Sequence, residues 1–176
     1  MEAEEKSNLI LCGFMATGKS SVGKRLAEMT GYEFLDMDAA IEADEGMTIP
    51  EIFASRGEEA FRELECRMVD QVAQRRKCVV ATGGGTTVNP QNLETLRRCG
   101  ILINLTADIQ TILLRAGSGE DRPMLQQGDR VERIRTLLQN RAEAYGKADF
   151  AVDTSSRSIE EVAQLIVNRL RNIKAL

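Results

Sequence analysis

Apolar positions along the chain follow two alternating rhythms. Short, nearly unbroken apolar runs fall at 9–12, 33–35, 78–82, 101–105 and 150–152. Runs of that length, ended by glycine or charged residues, fit strands buried on both faces. Between them apolar residues recur every three or four positions, as in Val22, Leu26 and Met29, or Phe61, Leu64, Met68 and Val72. The same helical spacing joins Leu93 to Leu96, then Ile134, Leu138 and Tyr145, and finally Ile159, Val162, Ile166 and Leu170. A further helix through Ala39, Ala40, Ile41 and Ala43 is expected to close at Gly46, and another covers about 108–115. Thr48 with Glu51 three residues later forms a capping-box signature, and Asn89-Pro90 opens a helix that Gly100 stops. Strand and helix therefore alternate from end to end. That order predicts an α/β fold with a five-stranded parallel sheet flanked by helices. In such sheets ligands gather at the carboxyl ends of the strands.

At 176 residues the chain is expected to form a single domain over 8–176, preceded by a disordered end at 1–7. Met1-Glu2-Ala3-Glu4-Glu5-Lys6 is acidic and unlike a signal or transit peptide. The segment 116–128 carries Gly117, Gly119, Pro123 and Gly128 and is expected to be a mobile surface loop. Net charge is −4 and the 23 basic residues are scattered, which argues against a nucleic-acid partner. No apolar run is long enough to span a bilayer, so a cytoplasmic location is expected. The four cysteines show no C-x-x-C pairing and there is no histidine, which excludes the common zinc sites and Ser-His-Asp or Cys-His catalysis. Any general base must then be a carboxylate, a lysine or a tyrosine.

The chemistry begins where the first strand ends. Gly13-Phe14-Met15-Ala16-Thr17-Gly18-Lys19-Ser20 matches G-x-x-x-x-G-K-[ST], between an apolar strand and a helical pattern. Glycines let the backbone amides curl inward at phosphate oxygens, and the helix N-terminus adds partial positive charge. Lys19 would reach the β- and γ-phosphates and the Ser20 hydroxyl would sit on Mg²⁺. Asp36 and Asp38, taken as extended chain, would point to one side and hold a cation, with the second carboxylate free to accept a substrate proton; the alternative is a solvated turn with Asp38 as a helix cap. Arg141 falls inside the stripe of Ile134, Leu138 and Tyr145. A guanidinium there needs an anion, either a bound carboxylate or phosphate or an acidic side chain. Arg62, beside Phe61, either faces a cleft or pairs with Glu58 or Glu65. Gly83-Gly84-Gly85 allows a close backbone approach or forms a flexible turn. Arg122, next to Pro123 in the glycine-punctuated loop, is placed to close on phosphates if that loop acts as a lid.

Taken together these segments resemble shikimate kinase, a family with the P-loop nucleoside-monophosphate-kinase-like fold and a mobile lid. The likeness rests on the P-loop, Asp36-Met37-Asp38, Gly57-Glu58-Glu59-Ala60-Phe61-Arg62, Thr82-Gly83-Gly84-Gly85, Arg122-Pro123-Met124-Leu125, and Arg141 with Tyr145. The resemblance implies phosphoryl transfer from ATP, with Mg²⁺, to the 3-hydroxyl of shikimate on the route to aromatic amino acids. It implies that Asp38 is the candidate base and holds ring hydroxyls, and that Arg62 and Arg141 grip the carboxylate. Gly83, Gly84 and Gly85 would line the same pocket. Gly13, Met15, Ala16, Thr17, Gly18, Lys19, Ser20 and Ser21 would cradle the nucleotide, with Lys19 and Arg122 acting in catalysis. Ser20 and Asp36 would hold Mg²⁺, and Arg157 would contact adenine. A monomer acting on a small molecule is expected. The rivals are a gluconate-type or nucleoside-monophosphate kinase and a nucleotide-dependent switch. The D-x-x-G and N-K-x-D strings of GTPase switches do not occur in the sequence.

Overall fold

The structure is a computed structural model that describes residues 7–117 and 129–176. The acidic end at 1–6 and most of the expected lid, including Arg122, lie outside the described residues.

Five strands form one sheet: β1 (Asn8–Gly13), β2 (Glu33–Asp36), β3 (Cys78–Ala81), β4 (Gly100–Thr106) and β5 (Phe150–Asp153). Their order is β2-β3-β1-β4-β5 and every pairing is parallel. The continuous apolar runs are explained by this position, since every residue of β1 and β3 is buried. Among the described residues seven α-helices connect and cover the strands: α1 (Lys19–Thr30), α2 (Met37–Glu45), α3 (Ile49–Ala73), α4 (Pro90–Cys99), α5 (Ile109–Ala116), α6 (Arg130–Gly146) and α7 (Ile159–Asn172).

Alternation along β1 sends its side chains into two cores. Leu9 and Leu11 pack with Val22 and Leu26 of α1 and with Val162, Ile166 and Leu170 of α7. Ile10 and Cys12 pack on the other face with Ile52, Met68 and Val72 of α3 and Leu96 of α4. A third cluster, of Phe14, Met15, Ile112, Ile134, Leu137 and Tyr145, sits where α5 and α6 meet the loop after β1. Strand partners Leu11, Ala81 and Ile103 lie level with one another, so Gly13, Thr82 and Thr106 all emerge on one rim.

Three expectations need correction. Ile159 is 47% exposed, because it is the first residue of α7 and the buried stripe starts at Val162. On α6 the inward position is Leu137, with Leu138 only half-buried. The extended-chain placement of Asp36 and Asp38 also fails: β2 ends at Asp36, which caps α2, and Asp38 already lies in the first helical turn. Cys78 and Cys12 are buried strand residues as expected, and burial pushes the Cys12 thiol up to about 12. It therefore stays a protonated apolar filler.

Candidate active site

The loop after β1 is shaped by conformations that side chains resist. Gly13 has φ +133°, and a Cβ there would lie 2.2 Å from the carbonyl oxygen of Leu105. Ala16 and Gly18 also have positive φ, at 59° and 93°. Gly18 caps α1 without a side-chain hydrogen bond, which leaves the first amides of that helix available to an anion. Thr17 is buried and its hydroxyl donates to the carbonyl of Phe14 at 2.8 Å. Lys19 Nζ donates to the carbonyls of Gly13 and Phe14 at 3.0 and 2.8 Å, so the ammonium is held over the mouth of the loop.

The Ser20 hydroxyl donates to Oδ2 of Asp36. The other oxygen of Asp36 accepts the amide of Ala39 at 3.2 Å, which fixes the carboxylate as the N-cap of α2. This resolves the alternatives for the two aspartates in part: the cap is Asp36 rather than Asp38. Both still line the same cleft.

That cleft has a volume of about 600 Å³. Met15, Ala16, Gly18, Lys19, Ser20 and Ser21 of the phosphate loop and α1 line it together with Arg62, Gly83, Gly84, Gly85 and Arg141. Ile49, Pro50, Phe53 and Phe61 make an apolar wall, with the two rings 5.0 Å apart between centroids. Ile49, Pro50 and Phe53 come from the first part of α3 and Phe61 from the second. Thr48 and Glu51 cap that helix reciprocally, and a break at Gly57 (φ +82°, ψ 173°) separates the first part from the longer second part.

Arg62 both faces the cleft and pairs with acids. Its Nη1 lies 2.6 Å from Glu65 and its Nη2 3.0 Å from Glu58. Partial burial lowers its pKa, but the Glu65 and Glu58 carboxylates outweigh that and the net direction is upward. Glu65 is 1% exposed, and its second oxygen accepts the Thr86 hydroxyl at 2.7 Å. This buried carboxylate was not singled out as a cleft residue in the sequence. The signal was available: it occupies the stripe of Phe61, Met68 and Val72, as Arg141 does on α6.

Each of the three glycines lies against at least one functional side chain. A Cβ at Gly83 would lie 2.7 Å from Glu65 Oε1 and 2.9 Å from Asp38 Oδ1. At Gly84 it would meet Arg141 Nη1 at 3.2 Å, and at Gly85 Arg62 Nη1 at 2.5 Å. Any side chain here would push aside the group it faces. Arg141 is 6% exposed, with its guanidinium carbon 5.5 Å from the centre of the Phe14 ring. Among the described residues no carboxylate is paired with it. Tyr145, one turn further along α6, donates its hydroxyl to the carbonyl of Gly84 at 2.6 Å.

Arg157 stands apart from the cleft lining; its Nη1 donates to the carbonyl of Asp153 at 2.8 Å. Arg115 is a second residue that sequence reasoning passed over. It donates to the hydroxyl and carbonyl of Thr154 at 2.9 and 2.7 Å and to the Ala16 carbonyl at 3.4 Å. Thr154 in turn donates to the carbonyl of Thr17 at 3.0 Å, so the end of β5 is tied to the phosphate loop. An arginine near a helix C-terminus gives no sequence signal of such a tie, because favourable charge placement accounts for it equally well.

Among the described residues there is no cluster of three or more cysteine, aspartate or glutamate side chains suited to a metal ion. The Ser20 and Asp36 oxygens fit a hard cation of the Mg²⁺ type, which keeps waters and phosphate oxygens and takes few protein ligands. Among the described residues no helix is long and apolar enough to cross a membrane.

Comparison with known proteins agrees with this geometry. A family profile described as "Shikimate kinase" matches residues 15–171. The chain is 42% identical over 163 residues to a shikimate kinase of Geobacter metallireducens, covering 93% of this chain and 91% of that one. It is 41% identical over 167 residues to one from Caldanaerobacter subterraneus, covering 95% and 98%. A solved shikimate kinase from Acinetobacter baumannii, in complex with shikimate, superposes with a TM-score of 0.93 at 35% identity over 97% of this chain and 96% of that one. A gluconokinase from Sinorhizobium meliloti shares the fold alone, at 19% identity and a TM-score of 0.62 over 98% and 95%.

Proposed function

Because the chain belongs to the shikimate kinase family, and is thus a phosphotransferase acting on an alcohol, we propose that its cleft transfers the γ-phosphoryl group of ATP to the 3-hydroxyl of shikimate. The observation that carries the acceptor half is Arg141: a guanidinium at 6% exposure that lines the cleft against Phe14 of the phosphate loop, with no carboxylate paired to it among the described residues. A buried cation of that kind is strongly unfavourable without an anion. A small acid supplies one, with two parallel hydrogen bonds.

The residues then divide the work. The amides after Gly13 and the ammonium of Lys19 receive the phosphates. Asp38 accepts the proton of the attacking hydroxyl, whose oxygen forms the new bond to phosphorus as the bond to the ADP oxygen breaks. Arg141 and Arg62 hold the acceptor carboxylate, and the Gly83-Gly84-Gly85 backbone brings the ring close. Ser20 and Asp36 would hold Mg²⁺, which neutralises phosphate charge when bound. Arg122 would close on the phosphates and Arg157 would approach the adenine. Residues 8–176 act as one kinase domain, as a cytoplasmic monomer whose partner is a small molecule and neither nucleic acid nor membrane. The net charge of −4 with scattered basic residues supports that choice.

The test is ADP release with ATP and Mg²⁺ across shikimate, gluconate and nucleoside monophosphates. Turnover is expected with shikimate at least a hundredfold above the others. Equal or greater turnover with gluconate or a nucleotide rejects the reading.

A further inference from the structure

Tyr145 is required by neither the phosphate nor the acceptor contacts assigned above, yet its side chain joins α6 to the glycine run of the acceptor wall. Its ring lies on the buried stripe of α6, one turn beyond Arg141. It is 7% exposed, and its hydroxyl reaches across 61 residues of sequence to the carbonyl of Gly84. The guanidinium of Arg141 acts on the same hydroxyl and also lies against Gly84. Arg141, Tyr145 and Gly84 are therefore in mutual contact.

The glycine run needs such a tether. Gly84 has no side chain and lies outside any strand or helix, between β3 and the 3₁₀ turn Thr86–Val88. It is the second residue of a turn whose ends are already joined, the Thr86 N–H donating to the Gly83 carbonyl at 3.2 Å, so the freedom left to be fixed is the orientation of the central Gly84–Gly85 peptide, which glycine does not oppose. The peptide unit is planar and trans, so its carbonyl and the following N–H point in opposite directions. Once the Gly84 carbonyl is tied to Tyr145, the Gly85 N–H is turned away from α6. Gly85 lines the cleft, and its α-carbon faces Arg62.

We propose that Tyr145 is a positioning residue: its hydroxyl fixes the Gly84–Gly85 peptide so that the Gly85 N–H is presented to the acceptor between Arg141 and Arg62. The proposal rests on the acceptor site described above. It assigns Tyr145 no contact with substrate, and it explains why a phenol rather than a phenyl ring occupies a buried apolar stripe.

Tyr145→Phe keeps the ring and removes only the hydroxyl, and the test has two arms. In the ligand-free protein, hydrogen exchange at the Gly84, Gly85 and Thr86 amides is expected to speed up about tenfold, with the strands unchanged. In turnover assays the KM for shikimate is expected to rise about five- to tenfold, the range for a lost neutral hydrogen bond, while kcat and the KM for ATP stay within about twofold. Both changes are required. Unchanged local exchange, or an unchanged KM for shikimate, overturns the proposal. Faster exchange throughout the sheet with parallel loss for both substrates also overturns it, because that marks a purely structural role. If the unaltered protein does not phosphorylate shikimate, the functional reading fails; the exchange arm still reports separately on the tether.

Discussion

Arg141 and Arg62 carry the same guanidinium but differ in what they already hold. Arg62 is paired with Glu58 and Glu65, whereas Arg141 is buried with no carboxylate paired to it among the described residues. Arg141→Leu should therefore remove shikimate binding, by at least about a hundredfold for a lost buried charge pair, and leave ATP affinity within a few-fold by calorimetric titration. Equal loss of both ligands would make Arg141 structural. Asp38→Asn should keep ATP affinity and lower kcat by about 10²–10⁴, the usual range for a lost general base; unchanged turnover removes Asp38 from the mechanism. Gly85→Ala would force a methyl to within 2.5 Å of Arg62 Nη1, so it should raise the KM for shikimate and spare that for ATP. At this scale the sequence was informative wherever a residue violated its surroundings. Arg141 stood out because a cation interrupts an apolar stripe. Glu65 does the same on α3, but its place three residues from Arg62 makes it look like an ordinary ion-pair partner. The bearing of Asp38 was not legible, because it depends on a strand-to-helix boundary one residue away.

The elements themselves follow from local chemistry to a large degree. Two helices begin with the same reciprocal cap, Thr48 with Glu51 and Ser158 with Glu161. The backbone amides of Thr48 and Ser158, followed by their hydroxyls, hold both glutamates below the ordinary carboxylate value of 4.5. A depressed folded-state pKa stabilises the fold above the unfolded value and loses that contribution as pH falls through the folded one. Urea midpoints should thus be flat from about pH 7 to 5 and decline below about 4.5. The double variant Glu51→Ala, Glu161→Ala should start lower and decline less steeply; parallel curves would deny the caps that role. Thr48 and Glu51 were recognisable in sequence by their spacing. The break at Gly57 was only half legible. A glycine within a helical pattern signals a stop or a bend, but its φ of +82° is set by how the two parts of α3 pack over the cleft and the sheet.

For the whole molecule, alternation of strand and helix was enough for the class of fold, and the rim rule was enough to gather the site. Strand order was not legible. The order β2-β3-β1-β4-β5 depends on crossovers and on which helices share each face, and no local pattern encodes that. Leu102 marks the centre of this arrangement, fully buried in β4 against the α3 and α4 face. Leu102→Ala should cost about 2–5 kcal/mol by urea unfolding, as buried leucine truncations do. A loss under about 1 kcal/mol would mean that this face of the sheet repacks freely. The central strand has a further consequence for how the protein is born. β1 is made first, yet both of its neighbours, β3 and β4, come from far along the chain, and the last of these pairings ends at Leu105. A nascent chain therefore carries its phosphate loop on a strand with two open edges until β3 has left the ribosome, and with one open edge until β4 has. Ribosome-bound chains of increasing length should stay blind to immobilised ATP and acquire the ability to bind it abruptly, only after Thr106 has emerged.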